Sequence, residues 1–339
     1  TGVFKYRRYV HTKVLDKWIT VKPAYRITLE CGTELISSGD HLLLSDRGWK
    51  HVVNSARGQP DRPHLTTRNH LVGIAAFAPQ PLHDAEYRRG YLCGIIRGDG
   101  TLRSRECGRH LGTPYISGSL RLALADLEAL HRAREFLVAA DVDTSERVLQ
   151  RAVGDRREMS AIFAGGRALF QRISRLIEWP VMPSVQWCRG FLAGIFDAEG
   201  CRSDYPVRIA NTDPQILAWV EACARRLGFD TAVDRTKNAN GLKYIRMRGG
   251  LSEHLRFFHL TDPAITRKRD IEGQMVKTFA NLRVAEIEPL GRALPLYDIT
   301  TGTGDFIANG VVSHNCFARP THKYLDFDAG RDFEREIVV

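Results

Sequence analysis

Apolar residues recur along this 339-residue chain with two different spacings, which predict two kinds of structure. Near the N-terminus, AYRITLECG and HLLLSDRGWKHV alternate apolar and polar residues, as half-buried β-strands do. In the middle, LALADLEALHRAREFLVAA and PQILAWVEACARRLGF place apolar residues three and four positions apart, which predicts amphipathic helices. Strand-like segments, YDIT and FIANGVV, return near the C-terminus. The pattern predicts β-rich ends around a mixed α/β centre.

These patterns divide the chain into an interrupted β domain and an insertion. We expect residues 1–75 to form the first part of the β domain and residues 283–315 its last part. We expect residues 80–282 to form the insertion, because helical segments recur at corresponding places in two halves, about 80–180 and 181–282. An exposed loop of a small domain tolerates such an insertion.

One pattern occurs twice in the insertion, as LCGIIRGDG (Leu92–Gly100) and LAGIFDAEG (Leu192–Gly200). Each copy follows an Arg-Gly-aromatic tripeptide and places an acidic residue, Asp99 or Glu199, at the end of a short apolar helix. Such a duplication rarely arises by accident. Small residues at helical spacing allow two helices to approach closely. The sequence therefore predicts that the two helices pack together and bring Asp99 and Glu199 side by side.

Two adjacent carboxylates repel each other unless a cation lies between them. The pair therefore indicates a divalent-metal site, which suits phosphodiester cleavage. The alternative interpretation is two unrelated core helices whose acidic ends are solvated.

The two motifs closely resemble those of the LAGLIDADG (DOD-type) homing endonucleases in their single-chain form. The resemblance implies two pseudo-symmetric αββαββα halves that meet at the motif helices, with Mg²⁺ held at the scissile phosphates by the last acid of each motif. Asp99 and Glu199 are then the catalytic, metal-binding acids, and glutamate can bind Mg²⁺ through oxygen. The first copy departs from the family pattern at Cys93, Ile95, Arg97 and Gly98, and the second at Phe196 and Glu199.

The same resemblance implies a lysine near the metal that polarises the attacking water or the phosphate. Lys268, within FFHLTDPAITRKRDIEG, lies about where the second half would carry it. The alternative is a solvated basic start of a helix. The corresponding first-half segment, LIEWPVMPSVQWCRG, contains no lysine. We therefore expect one half to act with less assistance and nicking to exceed double-strand cutting.

Charge agrees with a nucleic-acid partner. The formal net charge is +10 and the sequence pI is about 9.4, which favours a polyanion such as double-stranded DNA over general solubility charge. The alternation in YIRMR puts Arg246 and Arg248 on one face of a strand. The resemblance implies that this face lies in the major groove, where arginine reads guanine. The expected DNA-contacting residues are Arg103, Arg105, Arg109, Arg121, Arg202, Arg208, Arg235, Lys237, Lys243, Arg246 and Arg248.

The segment LPLYDITTGTGDFIANGVVSHNC ends in a reactive succession of side chains, Ser313, His314, Asn315 and Cys316. An asparagine amide can attack its own backbone carbonyl and break the chain when an imidazole moves the proton. A cysteine that follows is a thiol nucleophile.

This segment resembles the C-terminal splicing motifs of an intein, which has the all-β, horseshoe-like Hedgehog/intein (Hint) fold. The resemblance makes His314 the penultimate histidine, Asn315 the cyclising residue and Cys316 the first residue of the C-terminal extein. It makes Asp298 the upstream acid. The chain departs from the family at Gly304, where a histidine is common.

GTELISSGDH (Gly32–His41) resembles the intein motif that activates the upstream splice junction. Ser38 then stands for its threonine, and His41 polarises the scissile amide. The alternative is an ordinary β-turn. The chain opens with Thr1 rather than a Cys or Ser nucleophile, so the first splicing motif is missing. We therefore expect at most C-terminal cleavage by Asn315 cyclisation, or an N-terminal intein fragment supplied in trans.

Residues 316–339 resemble the start of a radical S-adenosylmethionine protein, in which CxxxCxxC thiolates hold a [4Fe-4S] cluster. Cys316 would be the third of these cysteines. The resemblance implies that the cluster and S-adenosylmethionine belong only to the intact, spliced host.

The remaining composition points to the cytoplasm and to no membrane partner, and we expect the chain to be a monomer. Seven scattered cysteines lack zinc-finger spacing, which favours free thiols in a reducing compartment. No apolar run approaches the roughly 18 residues that span a bilayer, and no signal peptide is visible.

Three classes of function stay open. The favoured one is an intein with an embedded homing endonuclease, which combines protein splicing with sequence-specific DNA cleavage. The second is a free-standing nuclease or a nuclease-derived DNA-binding regulator. The third is a radical S-adenosylmethionine enzyme whose gene carries an inactive insertion.

Overall fold

A computed structural model describes residues 7–54, 62–74, 78–110, 113–201, 206–235 and 241–314. The chain forms two compact units. The β unit comprises Thr1–Phe77 and Ile271–Val339, and the α/β unit comprises Ala78–Asp270. Mixed α/β structure is thus confirmed for the chain. The division falls after Asp270 rather than near residue 282, because Leu282 is a fully buried member of the β unit's core.

The first strands of the β unit precede the α/β unit in sequence. They are β1 (Val14–Leu29), β2 (Glu34–Ser38), β3 (Leu42–Ser45), β4 (Gly48–His51) and β5 (His70–Gly73).

The described part of the first half of the α/β unit contains three helices and four strands. In chain order these are α1 (Ala85–Asp99), β6 (Gly100–His110), β7 (Thr113–Leu124), α2 (Leu127–Val138), β8 (Ser145–Gln150), β9 (Met159–Gly165) and α3 (Arg167–Leu176). The Asp84 side chain caps α1 by accepting the backbone N–H of Tyr87. The strands form an antiparallel sheet in the order β6-β7-β9-β8.

The second half repeats this order of helices and strands and adds one short helix. Its elements are α4 (Val185–Glu199), β10 (Gly200–Cys201), β11 (Arg208–Asn211), α5 (Pro214–Arg226), β12 (Thr231–Arg235), β13 (Lys243–Met247), α6 (Leu251–Thr261) and α7 (Thr266–Arg269). Ser184 caps α4 as Asp84 caps α1. The sheet order, β10-β11-β13-β12, matches that of the first half.

Helices α1 and α4 pack together through glycine. A Cβ added at Gly90 would lie 2.1 Å from the carbonyl oxygen of Trp187, and one at Gly194 would lie 2.1 Å from that of Tyr91. Both contacts are with backbone atoms, so no side chain can move aside to make room. The helices approach this closely only because glycine occupies these positions.

The β unit is completed by β14 (Lys277–Thr301), β15 (Asp305–Ala308) and β16 (Val311–His314). The sheet order is β15-β16-β3-β5-β14-β1-β2, with β4 paired to β3. Strands β1 and β14 pair antiparallel over most of β1. Apolar residues from several strands of this unit form its core, including Ile27 of β1, Leu43 of β3, Leu71 of β5 and Val311 of β16. Within the part of the chain described above, no helix has the length and apolar character needed to cross a membrane.

Candidate functional site

Asp99 and Glu199 lie at the C-terminal ends of the paired helices α1 and α4. A Cβ added at Gly98 would lie 3.3 Å from Cγ of Glu199, so the two motif ends are in contact. Burial raises the pKa of both carboxyls, and the charge of Asp99 raises the pKa of Glu199 further. A divalent cation would offset both costs, because it supplies positive charge where solvent is partly excluded. The carboxylate oxygens therefore fit Mg²⁺.

Lys268 on α7 lies beside this acid pair. Its ammonium donates to the carbonyl oxygens of Phe196 (3.2 Å), Asp197 (2.5 Å) and Ala198 (3.3 Å). These carbonyls belong to the last turn of α4, where the helix dipole favours a cation. Burial lowers the pKa of Lys268, while the charges of Asp197 and Asp99 raise it. The structure thus places a partly desolvated ammonium group near both motif acids.

Buried Asp197 fixes the segment that leads to α7. Its carboxylate accepts the Tyr91 hydroxyl at 2.8 Å and the backbone N–H groups of Ala264 and Ile265 at 2.7 and 3.0 Å. This set of donors holds the loop before α7 against α4, and the loop in turn places Lys268. The sequence offered no signal for this role beyond the motif itself.

Arg97 occupies the corresponding position of the first motif and carries the opposite charge. Its Nη2 and Nε donate to the carbonyl oxygen of Ile177 at 2.8 and 3.2 Å. Its guanidinium carbon lies 4.1 Å from the centroid of the Trp179 ring, a cation–π contact. Each motif therefore anchors the segment that follows the last long helix of its half. The first half uses a donor to a carbonyl, and the second uses an acceptor for N–H groups.

Asn211 is a site residue that the sequence analysis missed. Its Nδ2 donates to Oε1 of Glu199 at 3.4 Å. Strand registers align Gly200 with Ile209 in the second half and Gly100 with Leu122 in the first, so Leu124 takes the place of Asn211 in the first half. An alignment of the two halves through the two strands that follow each motif helix would have shown that Asn211 replaces an apolar residue.

Several of the expected DNA-contacting residues share one face of each sheet. In the first half, Thr101 lies opposite Arg121 and Arg103 opposite Ser119, and these residues line a groove of about 460 Å³. Arg105 follows on the same face of β6. In the second half, Arg208 lies opposite Arg246.

The other expected DNA contacts fall elsewhere. Lys243 lies on the same side of β13 as buried Ile245, so it is not on the Arg246 face. Its neighbour in register is Arg235, at the end of β12. Arg248 follows β13 and forms an ion pair of 3.4 Å with Asp230. Arg202 and Lys237 lie outside the described residues, as do the side chains of Arg109 and Arg235.

The β unit contains a second candidate site. Ser38, His41, Asp298 and Ser313 line one cavity of about 440 Å³. Burial lowers the pKa of His41, the charge of Asp298 raises it, and that of His314 lowers it. The His314 ring packs edge-on against Trp49, with ring centroids 5.0 Å apart.

The structure describes only some of the other residues expected at this site. Asn315 and Cys316 lie outside the described residues. Gly304, where the intein resemblance led us to expect a histidine, has a φ of +81° in the turn before β15, a conformation that favours glycine. Asp305 follows and lies opposite His314 in the β15–β16 register.

Residues 186–260 match the LAGLIDADG-like domain family, which spans α4 to α6. No curated protein matches the chain. A solved structure of mesophilic variants of the homing endonuclease I-DmoI is 16% identical and covers 53% of this chain and 98% of its own, with a TM-score of 0.42. A structure of I-DmoI in complex with DNA and Mn is 16% identical, covers 54% of this chain and 97% of its own, and has a TM-score of 0.42. Full-length DUF199/WhiA from Thermatoga maritima is 15% identical, covers 57% of this chain and 64% of its own, and has a TM-score of 0.37. The expected LAGLIDADG resemblance is thus confirmed for residues 186–260.

Proposed function

We propose that the α/β unit is a divalent-metal-dependent endonuclease that cuts double-stranded DNA. The observation that carries this proposal is the meeting of Asp99 and Glu199 at the ends of two glycine-packed helices, with the Lys268 ammonium beside them. Asp99 and Glu199 would hold Mg²⁺, which when bound supplies Lewis-acid stabilisation of charge on the scissile phosphate. Asn211 orients Glu199, and Lys268 contributes positive charge near the reacting group.

Two further observations support DNA as the substrate. The chain is strongly basic, and arginines lie on one face of both four-stranded sheets. Structures with a similar arrangement include I-DmoI in complex with DNA and Mn, a polyanion and a divalent metal. The proposed activity is that of a homing endonuclease. Its proposed substrate is the copy of the host gene that lacks the intein.

The proposal is tested with plasmids that carry the uninterrupted host coding sequence around the Cys316 codon, incubated with Mg²⁺. We expect nicked and linear products with the intact chain and none with Asp99→Asn or Glu199→Gln. Glu146→Gln is a matched control, because Glu146 pairs with Arg134 at 2.8 Å, far along the sequence from either motif. Equal behaviour of the wild-type chain and both motif variants would refute the nuclease.

We also infer that the β unit is the splicing domain of an intein, with residues from Cys316 onward belonging to a radical S-adenosylmethionine host. The specific observation that favours self-processing is the shared cavity of Ser38, His41 and Asp298. His314 lies one residue before Asn315 and can move a proton during asparagine cyclisation.

Self-processing is tested by mass spectrometry of the 339-residue chain after prolonged incubation. We expect slow release of residues 316–339 and no release from Asn315→Ala. His314→Ala should slow the reaction. Persistence of the intact mass in the wild-type chain would contradict C-terminal cleavage while leaving the nuclease proposal intact.

A further inference from the structure

The two sheets of the α/β unit differ in charge on the face that carries the DNA-contact candidates. We define the first-half face by Thr101, Arg103, Ser119, Arg121 and Arg147. Register places Thr101 opposite Arg121 and Arg103 opposite Ser119. Arg147 lies on the same face of the sheet, because Ala161 pairs with both Ala123 and Arg147. All three arginines are exposed. Among the described residues, neither Arg103 nor Arg121 forms an ion pair with a carboxylate.

The second-half face, defined by Arg208, Asp234, Tyr244 and Arg246, carries its own counter-charge. Arg208 and Arg246 lie directly opposite each other, an arrangement in which like charges repel. Asp234 lies diagonally across from Arg246 and accepts its Nε at 2.8 Å and its Nη2 at 3.4 Å. The Arg246 hydrogen bond lowers the pKa of Asp234, and the charges of Arg208 and Arg248 lower it further.

A guanidinium that already holds a carboxylate gains less from a phosphate than one that does not. An unpaired arginine releases counterions from the DNA when it binds a phosphate. A paired arginine either exchanges one anion for another or brings its carboxylate close to the phosphates. The net positive charge that it delivers to the DNA backbone is therefore smaller.

We propose that the first-half face supplies most of the salt-dependent affinity for the DNA backbone, whereas Asp234 neutralises one of the two arginines of the second-half face. This inference rests on the proposed function, because it requires that the α/β unit bind duplex DNA. It goes beyond that function by assigning unequal roles to two faces that have the same strand order.

The test measures the dissociation constant for a mixed-sequence duplex, without Mg²⁺, as a function of salt concentration. Each phosphate neutralised contributes a slope of about 0.9 in the plot of log affinity against log salt. Arg103→Ala and Arg121→Ala should each reduce the slope by about 0.9. Arg246→Ala should reduce it by less than half as much. Asp234→Asn should increase it, because that variant frees the guanidinium of Arg246.

Glu146→Gln is the control for Asp234→Asn, since each change removes one negative charge. Glu146 neighbours Arg147 on β8 but points to the opposite side of the sheet, where it pairs with Arg134 of α2. We expect no change in slope for this variant. Equal loss of slope for Arg246→Ala and Arg103→Ala, or an unchanged slope for Asp234→Asn, overturns the inference even if the wild-type chain binds and cuts DNA. Failure of the wild-type chain to bind duplex at all would instead refute the proposed function, and the inference with it.

Discussion

Replacing Gly194 with alanine should force the two motif helices apart. The added Cβ would lie 2.1 Å from the carbonyl oxygen of Tyr91 and 3.0 Å from the backbone nitrogen of Ile95. Ordinary contact needs about 3.5 Å, so the helices must separate by roughly 1.4 Å at this point. Overpacking of this kind costs about 1–3 kcal/mol. Because the clash is with backbone atoms, we expect the cost at the upper end of this range, about 3 kcal/mol. Alanine returns about 1 kcal/mol in helix propensity, so we expect a net loss near 2 kcal/mol.

The same displacement should reach the proposed catalytic site, because Glu199 follows on the same helix. A shift of about 1 Å in a reacting group can reduce a rate about 100-fold. The measurements are urea denaturation and Mg²⁺-dependent plasmid cleavage. Gly165→Ala is the control for stability, since its Cβ would meet no atom closer than 3.9 Å. A Gly194→Ala chain with wild-type stability would refute the claim that backbone contact sets the helix spacing.

Two further predictions concern the residues that support the site. Lys268→Met keeps an unbranched side chain one atom shorter but removes the ammonium that donates to three carbonyls of α4. Single-turnover cleavage should therefore fall about 100-fold while duplex affinity changes little. An unchanged rate would assign Lys268 a purely structural role. Asp262 accepts His83 at 3.0 Å and Arg269 at 3.1 Å, and although burial raises its pKa, His83, Arg132 and Arg269 lower it below its usual value. The contribution of Asp262 to stability should therefore be complete above about pH 4 and be lost as the pH falls through the lowered pKa. Urea denaturation at a series of pH values should show this loss in the wild-type chain but not in Asp262→Asn.

Features that depend on short-range spacing could be predicted from the sequence. The glycines and the acid of each motif lie within one nine-residue segment, and Lys268 is visible within its own basic segment. The same holds for the strands of the β unit, because their alternation is local. The sequence predicts that the two motif helices pack together, because a duplicated motif implies a repeated surface.

Features that depend on long-range contacts could not be predicted. Asp197 and Arg97 act on segments that lie 67 and 80 residues away in sequence, and no local pattern indicates either contact. Lys243 was grouped with the DNA contacts by composition, although strand parity places it beside buried Ile245. The end of the insertion was expected too late, because residues 271–276 carry no strong periodicity before β14 begins at Lys277.

The central claim is that Asp99 and Glu199 hold one divalent cation between them. Anomalous diffraction from crystals of the chain grown with duplex DNA and soaked in Mn²⁺ tests this most directly. We expect a manganese peak in coordination contact with a carboxylate oxygen of each residue, and loss of that peak in Asp99→Asn. Carboxylates that bind separate ions or none, or that point into different parts of the protein, would contradict the account.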